Sequence, residues 1–253
     1  MKKLIIPICI FIITLILLIF SGFNLVLWHI DNQKTNSEVE LAQSITPVNV
    51  ITVSDDSKND SKEETYITAD ITETKKLNSE IKGWINIPGT NVNHPFVQHK
   101  NNSYYLNHSL DRSKNNAGWI FLDYRNNSEE LDKNTILYGH NRRNGSMFGS
   151  LNKLTKKACL NDSSEHNIYI SNRKYNYVFE IFSIYRIETT DDYIKTSFTD
   201  DEFADWLELI KNRSIHNFNV DLTKDDKVLT LSTCYENEKK LAIHAKLIRI
   251  QPK

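Results

Sequence analysis

Hydrophobic and polar positions divide the chain into an apolar start, a polar stretch and a long region of short apolar runs. Residues 4–20 carry no charge, and apolar residues continue to position 28, which is long enough to span a bilayer. Lys2 and Lys3 precede this segment, and no other Lys or Arg follows before Lys34. No small-x-small cleavage pattern closes it, so an uncleaved anchor with a cytoplasmic N-terminus is favoured over the alternative, a cleaved signal peptide.

An anchor of this orientation places the rest of the chain on the extracellular face of the cell membrane, as a single-pass protein. The stretch after it is rich in Asn, Ser, Thr, Asp, Glu and Lys, which is typical of a solvated stalk. We therefore expect an anchor at residues 1–30, a polar stalk at residues 31–66 and a globular domain at residues 67–253. A short helix is expected near the start of that domain, around residues 67–81.

The globular region carries short apolar runs rich in β-formers and separated by polar turns, which predicts a mainly β barrel or sandwich. The runs are 84–87, 118–122, 135–138, 168–170, 175–187, 227–231 and 241–250. One helix interrupts this pattern, because Phe203, Trp206, Leu207 and Ile210 follow helical spacing. A capping box at residues 199–202 predicts where that helix begins.

Composition narrows the class of protein further. The 253 residues are 40% hydrophobic and 25% charged, which suits one sizeable core. The formal net charge of -1 leaves no bulk field to attract nucleic acid. Three scattered cysteines are too few for a disulfide framework, and no histidine or carboxylate spacing indicates a metal site, so we expect no metal and no cofactor.

Two residues stand out as candidate chemistry. Cys234 follows the strand-like run 228–233, which would hold a thiol at a defined point on a rigid element. A lone cysteine at a strand end is more often structural, but the polar neighbours of Cys234 argue against a buried apolar role. His140 is the strongest proton partner among eight histidines, because it follows a strand and three of the seven glycines lie between positions 139 and 149.

Several blocks carry a more specific signal. Residues 83–98 read Gly-Trp-Ile-Asn-Ile-Pro-Gly-Thr-Asn-Val-Asn-His-Pro-Phe-Val-Gln, residues 104–106 read Tyr-Tyr-Leu, and residues 118–123 read Gly-Trp-Ile-Phe-Leu-Asp. Residues 136–149 read Ile-Leu-Tyr-Gly-His-Asn-Arg-Arg-Asn-Gly-Ser-Met-Phe-Gly, and residues 230–234 read Thr-Leu-Ser-Thr-Cys. In this order the blocks resemble the sortases, and specifically class B, over most of the chain after residue 80.

This resemblance implies an eight-stranded sortase-type β-barrel with flanking helices, here preceded by a transmembrane helix. It also implies a cysteine transpeptidase of Gram-positive bacteria that needs no cofactor. Cys234 would attack the Thr carbonyl of a C-terminal sorting signal, of the Asn-Pro-x-Thr type, and form a thioester. His140 would then exchange protons with the leaving amine and with the incoming amine of a peptidoglycan precursor, so surface proteins and cell-wall precursors are the expected partners.

The third catalytic residue of the family is an arginine, and at this point the chain departs from the pattern. The aligned position is Lys240, which keeps the positive charge but lacks planar, bidentate hydrogen bonding. Arg249 lies too far along the strand to replace it. Arg142, Arg143 and Arg186 remain alternative sources of a guanidinium group, and Lys240 is the predicted third residue.

The resemblance also implies a set of substrate-binding residues, for which ordinary turn and packing roles are the alternative. They are Asn102, Leu106, Thr189, Tyr193, Ile194, Ser232 and Thr233. Two other functions stay open: a catalytically weak relative that binds sorting signals or wall peptides without turnover, and a secreted Cys-His peptidase that transfers the acyl group to water.

Overall fold

The computed structural model describes residues 2–54, 63–156, 166–188, 190–234 and 239–253. Apart from short 3-10 helices, two α-helices and ten strands make up the regular structure of these residues. They are α1 (Lys2–Ile45), β1 (Val48–Ser54), β2 (Glu63–Ala69), β3 (Ile81–Asn86), β4 (Asn93–Val97), β5 (Phe121–Leu122), β6 (Asn134–His140), β7 (Asn167–Asn172), β8 (Tyr175–Glu188), α2 (Asp200–Asn212), β9 (Val228–Cys234) and β10 (Lys239–Pro252).

Strands β3 to β10 close into an eight-stranded barrel in the order β10-β8-β7-β3-β4-β5-β6-β9, which confirms the predicted fold class. Most neighbours are antiparallel, but β4 pairs with β5 and β6 pairs with β9 in parallel. The predicted apolar runs coincide with β3 and β5 to β10. Strand β4 was not predicted, because it contains Pro95 and the polar residues Asn93 and His94. It forms a strand by pairing with β3.

Helix α2 begins at the predicted capping box. The Thr199 hydroxyl accepts from the Glu202 N–H at 3.3 Å, and the Glu202 carboxylate accepts from the Thr199 N–H at 2.8 Å. The four apolar residues at helical spacing are buried against β8 and β10, in a cluster beside the main core. This confirms that their pattern reflects core packing.

The polar stretch after the apolar segment is different from the solvated stalk that its composition predicts. Residues 31–45 continue helix α1 and pack on the barrel domain, where Thr35 and Ala42 are fully buried. Lys34 forms an ion pair with Asp111 at 2.7 Å, and Arg142 donates to Asn32 at 2.6 Å. Polar side chains of α1 thus bind polar loops of the domain, which composition alone does not reveal.

The next part of the predicted stalk also has regular structure. β1 and β2 pair as an antiparallel hairpin, and β2 reaches residue 69, where a short helix was expected. Only a 3-10 turn at Thr74–Lys76 follows in that region. The β-branched and aromatic residues of β2 suit a strand better than a helix, because they pack well on a pleated surface.

The first part of α1 is long and apolar enough to cross a membrane, with a mean hydropathy of 2.8 in its most apolar window and none of that window buried. Its apolar side chains, such as Phe11 and Leu18, are exposed. Exposed apolar surface of this extent is expected in lipid rather than in water. The segment is therefore a candidate membrane anchor or signal.

Candidate active site

Three of the predicted site residues lie side by side on adjacent strands. In the parallel pair of β6 and β9, His140 is in register with Cys234, and in the antiparallel pair of β9 and β10, Lys240 is in register with Cys234. For Cys234 the description covers the backbone. Since neighbouring strands are about 4.8 Å apart, His140 and Lys240 flank position 234 on both sides. We call these three residues the row.

His140 is held in one orientation by the segment that carries Leu106. Its Nε2 lies 2.6 Å from the Leu106 carbonyl oxygen. Because a carbonyl oxygen only accepts, Nε2 carries the hydrogen, and Nδ1 is the nitrogen that gains or loses a proton. Gly118 leaves room for this ring, since a Cβ there would lie 2.9 Å from His140 Cδ2, and its φ of +62° also favours glycine.

A cleft of about 300 Å³ opens beside the row. Its described lining combines apolar and polar side chains and includes two members of the row. The lining residues are Asn102, Leu106, Phe121, Tyr138, Gly139, His140, Thr190, Asp191, Tyr193, Ile194, Ser232 and Lys240. The volume and the mixed lining suit a short peptide segment.

Residues 190–195 form one side of the cleft, and we call them the wall segment. From α2, the Trp206 indole N–H donates to the Asp192 carbonyl at 2.9 Å. Arg213, which follows α2, donates to both carboxylate oxygens of Asp192 at 2.9 and 2.6 Å. The hydrogen bonds from Arg213 lower the pKa of Asp192 to about 2. The helix thus holds the beginning of the wall segment against the barrel.

The barrel holds the rest of the wall segment. The Tyr193 hydroxyl lies 2.9 Å from the Ser232 hydroxyl, two residues before Cys234. Arg125 Nη2 donates to the Ile194 carbonyl at 3.0 Å, and Asn134 Nδ2 donates to the Lys195 carbonyl at 2.9 Å. Side-chain donors therefore fix these carbonyl groups, which have no strand partner.

A buried hydrogen-bonded chain joins the wall segment to the strands of the row. The Thr230 hydroxyl lies 2.6 Å from Asn134 Oδ1 and 2.9 Å from His244 Nδ1. Since Asn134 Oδ1 takes the hydroxyl hydrogen, His244 Nδ1 donates and its Nε2 accepts from the Tyr185 hydroxyl at 2.9 Å. Burial, with Arg213 acting in the same direction, lowers the pKa of His244 to about 3.

The predicted substrate-binding residues divide into three groups. Five line the cleft, namely Asn102, Leu106, Tyr193, Ile194 and Ser232. Thr233 is only 1% exposed and is not among the described lining residues, because alternate residues of β9 point to opposite faces. Thr189 lies outside the described residues, although its neighbour Thr190 lines the cleft.

The described lining of the cleft includes none of Arg142, Arg143, Arg186 and Arg249. Arg142 donates to Asn32 of α1, and Arg249 lies over the Tyr66 ring at 5.7 Å. Arg186 is exposed and donates to Thr155 at 3.3 Å. Among the described residues that line the cleft, Lys240 is the one lysine or arginine.

The sequence analysis did not identify Asp123 and Arg125 as site residues. They form an ion pair at 2.7 Å, and Asp123 accepts hydrogen bonds from Asn102 and Tyr138 of the cleft lining. The available signal was two charged residues directly after the apolar run that forms β5. Such charges are usually solvated, so the burial of Asp123 becomes visible only in the closed barrel.

Comparison with known proteins agrees with this geometry. A family model described as the sortase domain matches residues 85–248. Sortase B of Listeria monocytogenes is 39% identical over 71% of this chain and 74% of its own length, and sortase B of Staphylococcus aureus is 31% identical over 94% and 95%. A crystal structure of sortase B from B. anthracis superimposes with a TM-score of 0.74 at 31% identity, covering 87% of this chain and 99% of that one.

The chain therefore belongs to the sortase family, and within that family to class B. Membership supports a general role as a cysteine transpeptidase. It agrees with the barrel, with the row and with the position of the cleft beside them.

Proposed function

We propose that this protein is a sortase B transpeptidase that cleaves a C-terminal sorting signal of the Asn-Pro-x-Thr type after Thr. It transfers the new C-terminus to an amine of a peptidoglycan precursor. The N-terminal part of α1 anchors it in the cell membrane, with the barrel on the extracellular face. The observation that carries the proposal is the row, which lies in register across three strands beside a peptide-sized cleft.

In the proposed reaction, Cys234 is the nucleophile and His140 transfers protons. The Cys234 thiolate attacks the Thr carbonyl carbon, and the resulting tetrahedral oxyanion collapses to a thioester as the amide C–N bond breaks. His140, protonated on both nitrogens, gives its Nδ1 proton to the leaving amine. The acceptor amine then attacks the thioester, loses a proton to Nδ1 and releases the thiolate.

Lys240 supplies the positive charge in this scheme. Its half-buried side chain lines the cleft, on the opposite side of Cys234 from His140. An ammonium group there stabilises the oxyanion and binds a substrate carbonyl oxygen, with point-charge geometry instead of the fork of a guanidinium group. The alternative, a protein that binds sorting signals without turnover, predicts that this cation contributes to affinity alone.

The test is turnover of fluorogenic sorting-signal peptides by the full chain in detergent, with and without an amine acceptor. Cys234→Ala is expected to abolish cleavage, and the wild-type protein is expected to form a thioester on Cys234 that mass spectrometry detects. Lys240→Ala should lower kcat/KM by about 10²-fold or more, as loss of an oxyanion donor does. Lys240→Arg should retain most activity, because the charge is kept.

Product analysis separates the competing functions. Transfer to the amine supports the transpeptidase, whereas release to water despite abundant amine indicates a peptidase. Peptide binding without any thioester would establish the binding protein instead. A neutral Lys240→Ala would show that another cation stabilises the oxyanion.

A further inference from the structure

An ion pair between a buried carboxylate and a partly exposed guanidinium group lies next to the cleft, outside the row. Asp123, which follows β5, is fully buried, and its carboxylate accepts from Arg125 Nε at 2.9 Å and from Nη2 at 2.7 Å. The Arg125 backbone N–H adds a third bond at 2.9 Å. A buried carboxylate is costly unless it is paired and hydrogen-bonded, so this arrangement is stable only as a unit.

The same carboxylate holds two side chains that line the cleft. Asn102 Nδ2 and the Tyr138 hydroxyl each donate to Asp123 Oδ2 at 2.9 Å. Asn102 Oδ1 accepts from the Tyr124 N–H at 2.9 Å, so both ends of its amide have defined partners. Burial by itself would raise the pKa of Asp123, but the hydrogen bonds from Arg125 and Tyr138 outweigh it and lower the pKa.

Arg125 connects this side of the cleft to the other. Its Nη2 carries two hydrogens, of which one bonds Asp123 Oδ2 and the other bonds the Ile194 carbonyl at 3.0 Å. Asn102 and Tyr138 on one side are therefore joined to the wall segment on the other through one ion pair. Lysine keeps the charge but has no planar fork to bind both Asp123 oxygens while reaching Ile194.

We propose that Asp123 and Arg125 are positioning residues that set the spacing between Asn102 and the wall segment, and so determine which peptides bind in the cleft. They act through Asn102, Tyr138 and Ile194 and do not touch the reacting atoms. The identity of the occupant rests on the proposed function. The spacing itself follows from the hydrogen bonds.

The first test compares Arg125→Gln and Arg125→Lys with wild type in peptide turnover. Losing a charge-assisted hydrogen bond should raise KM for the sorting-signal peptide about tenfold in Arg125→Gln, and Arg125→Lys should fall between it and wild type. The value of kcat and the rate at which iodoacetamide alkylates Cys234 should stay within about twofold, because the row is held by backbone pairing.

A matched control separates positioning from stability. Lys246 and Asp226 form an ion pair at 3.1 Å, with side chains 21% and 15% exposed. It lies at the far end of β9, since Lys246 is in register with Val228 and not with Cys234. Asp226→Asn should lower stability without changing KM, so an equal rise of KM in both variants would overturn the proposal.

A second readout does not depend on activity. Amide hydrogen exchange of residues 190–195 should accelerate in Arg125→Gln and remain unchanged in Asp226→Asn. Unchanged exchange in Arg125→Gln, together with an unchanged KM, would overturn the positioning role. If wild type turns over no peptide but exchange accelerates in Arg125→Gln, the proposed function fails and the positioning role stands.

Discussion

The row and the wall segment border the same cleft but are held in place by different interactions. Backbone ladders between β6, β9 and β10 align His140, Cys234 and Lys240, so no single side chain sets their spacing. The wall segment has no strand partner and depends on donors from Trp206, Arg213, Arg125 and Asn134. Single substitutions should therefore disturb the wall segment more readily than the alignment of the row.

Trp206→Ala should have the largest effect and act on the wall segment. Trp206 is 5% exposed, packs on Phe203 with ring centroids 5.7 Å apart, and donates to the Asp192 carbonyl. Its loss should cost about 3–5 kcal/mol in urea unfolding and raise KM for the peptide. Leu209→Ala is the control on the same helix, because Leu209 is 40% exposed and its loss should cost under about 0.5 kcal/mol. Similar losses in both variants would refute the packing role.

Lowering the pH tests how much two buried histidines, His94 and His244, contribute to stability. Burial lowers the pKa of His94 to about 4, and burial together with Arg213 lowers that of His244 to about 3. The unfolded chain binds these protons more strongly, so stability falls as pH drops below about 6.5. Between pH 7 and pH 5 each histidine should cost about 2 kcal/mol, measured by urea unfolding.

Substitution separates the two histidines. The ring nitrogens of His94 have no hydrogen-bond partner among the described residues, so His94→Leu breaks no hydrogen bond there. Because the two histidines should contribute similar amounts, this substitution should remove about half of the pH dependence of stability. The other half should come from His244, whose protonation also weakens the chain to Asn134 and the wall segment. An undiminished pH slope in His94→Leu would mean that other groups control it.

Gly139→Ala should produce a smaller loss and act on the row. A Cβ at this position would lie 2.8 Å from Phe148 Cγ, so either the Phe148 ring or β6 must shift. Overpacking of this kind should cost about 1 to 3 kcal/mol, measured by urea unfolding. Because β6 carries His140, kcat should fall while KM for the peptide changes little. A rise in KM with constant kcat would contradict the division between row and wall segment.

Much of the site was predictable because its signals are local. Cys234 at the end of an apolar run and His140 in a glycine-rich turn are visible as sequence patterns, and so is the capping box at residues 199–202. The resemblance to class B sortases supplied Lys240 and five residues that line the cleft. Thr233, which the resemblance also supplied, is 1% exposed on the opposite face of β9 from Ser232, and its substrate-binding role stays a prediction.

Other features depend on contacts between distant segments. The residues 31–45 have the composition of a stalk, yet they dock on the domain because loop residues such as Asp111 provide partners. Arg125 reaches the Ile194 carbonyl across 69 positions of sequence. No local sequence pattern at Asp111 or at Arg125 indicates which distant residue it contacts.

The sequence by itself determined the anchor candidate, the mainly β class, helix α2 and the candidate residues Cys234 and His140, because periodicity, capping and short motifs act over a few residues. Tertiary structure decided which residues meet. The parallel pairing of β6 with β9 aligned His140 with Cys234. The burial of Asp123 placed its carboxylate where it can bind side chains that line the cleft. Register and burial are properties of the closed barrel, since both require strands and loops far apart in the chain to pack together.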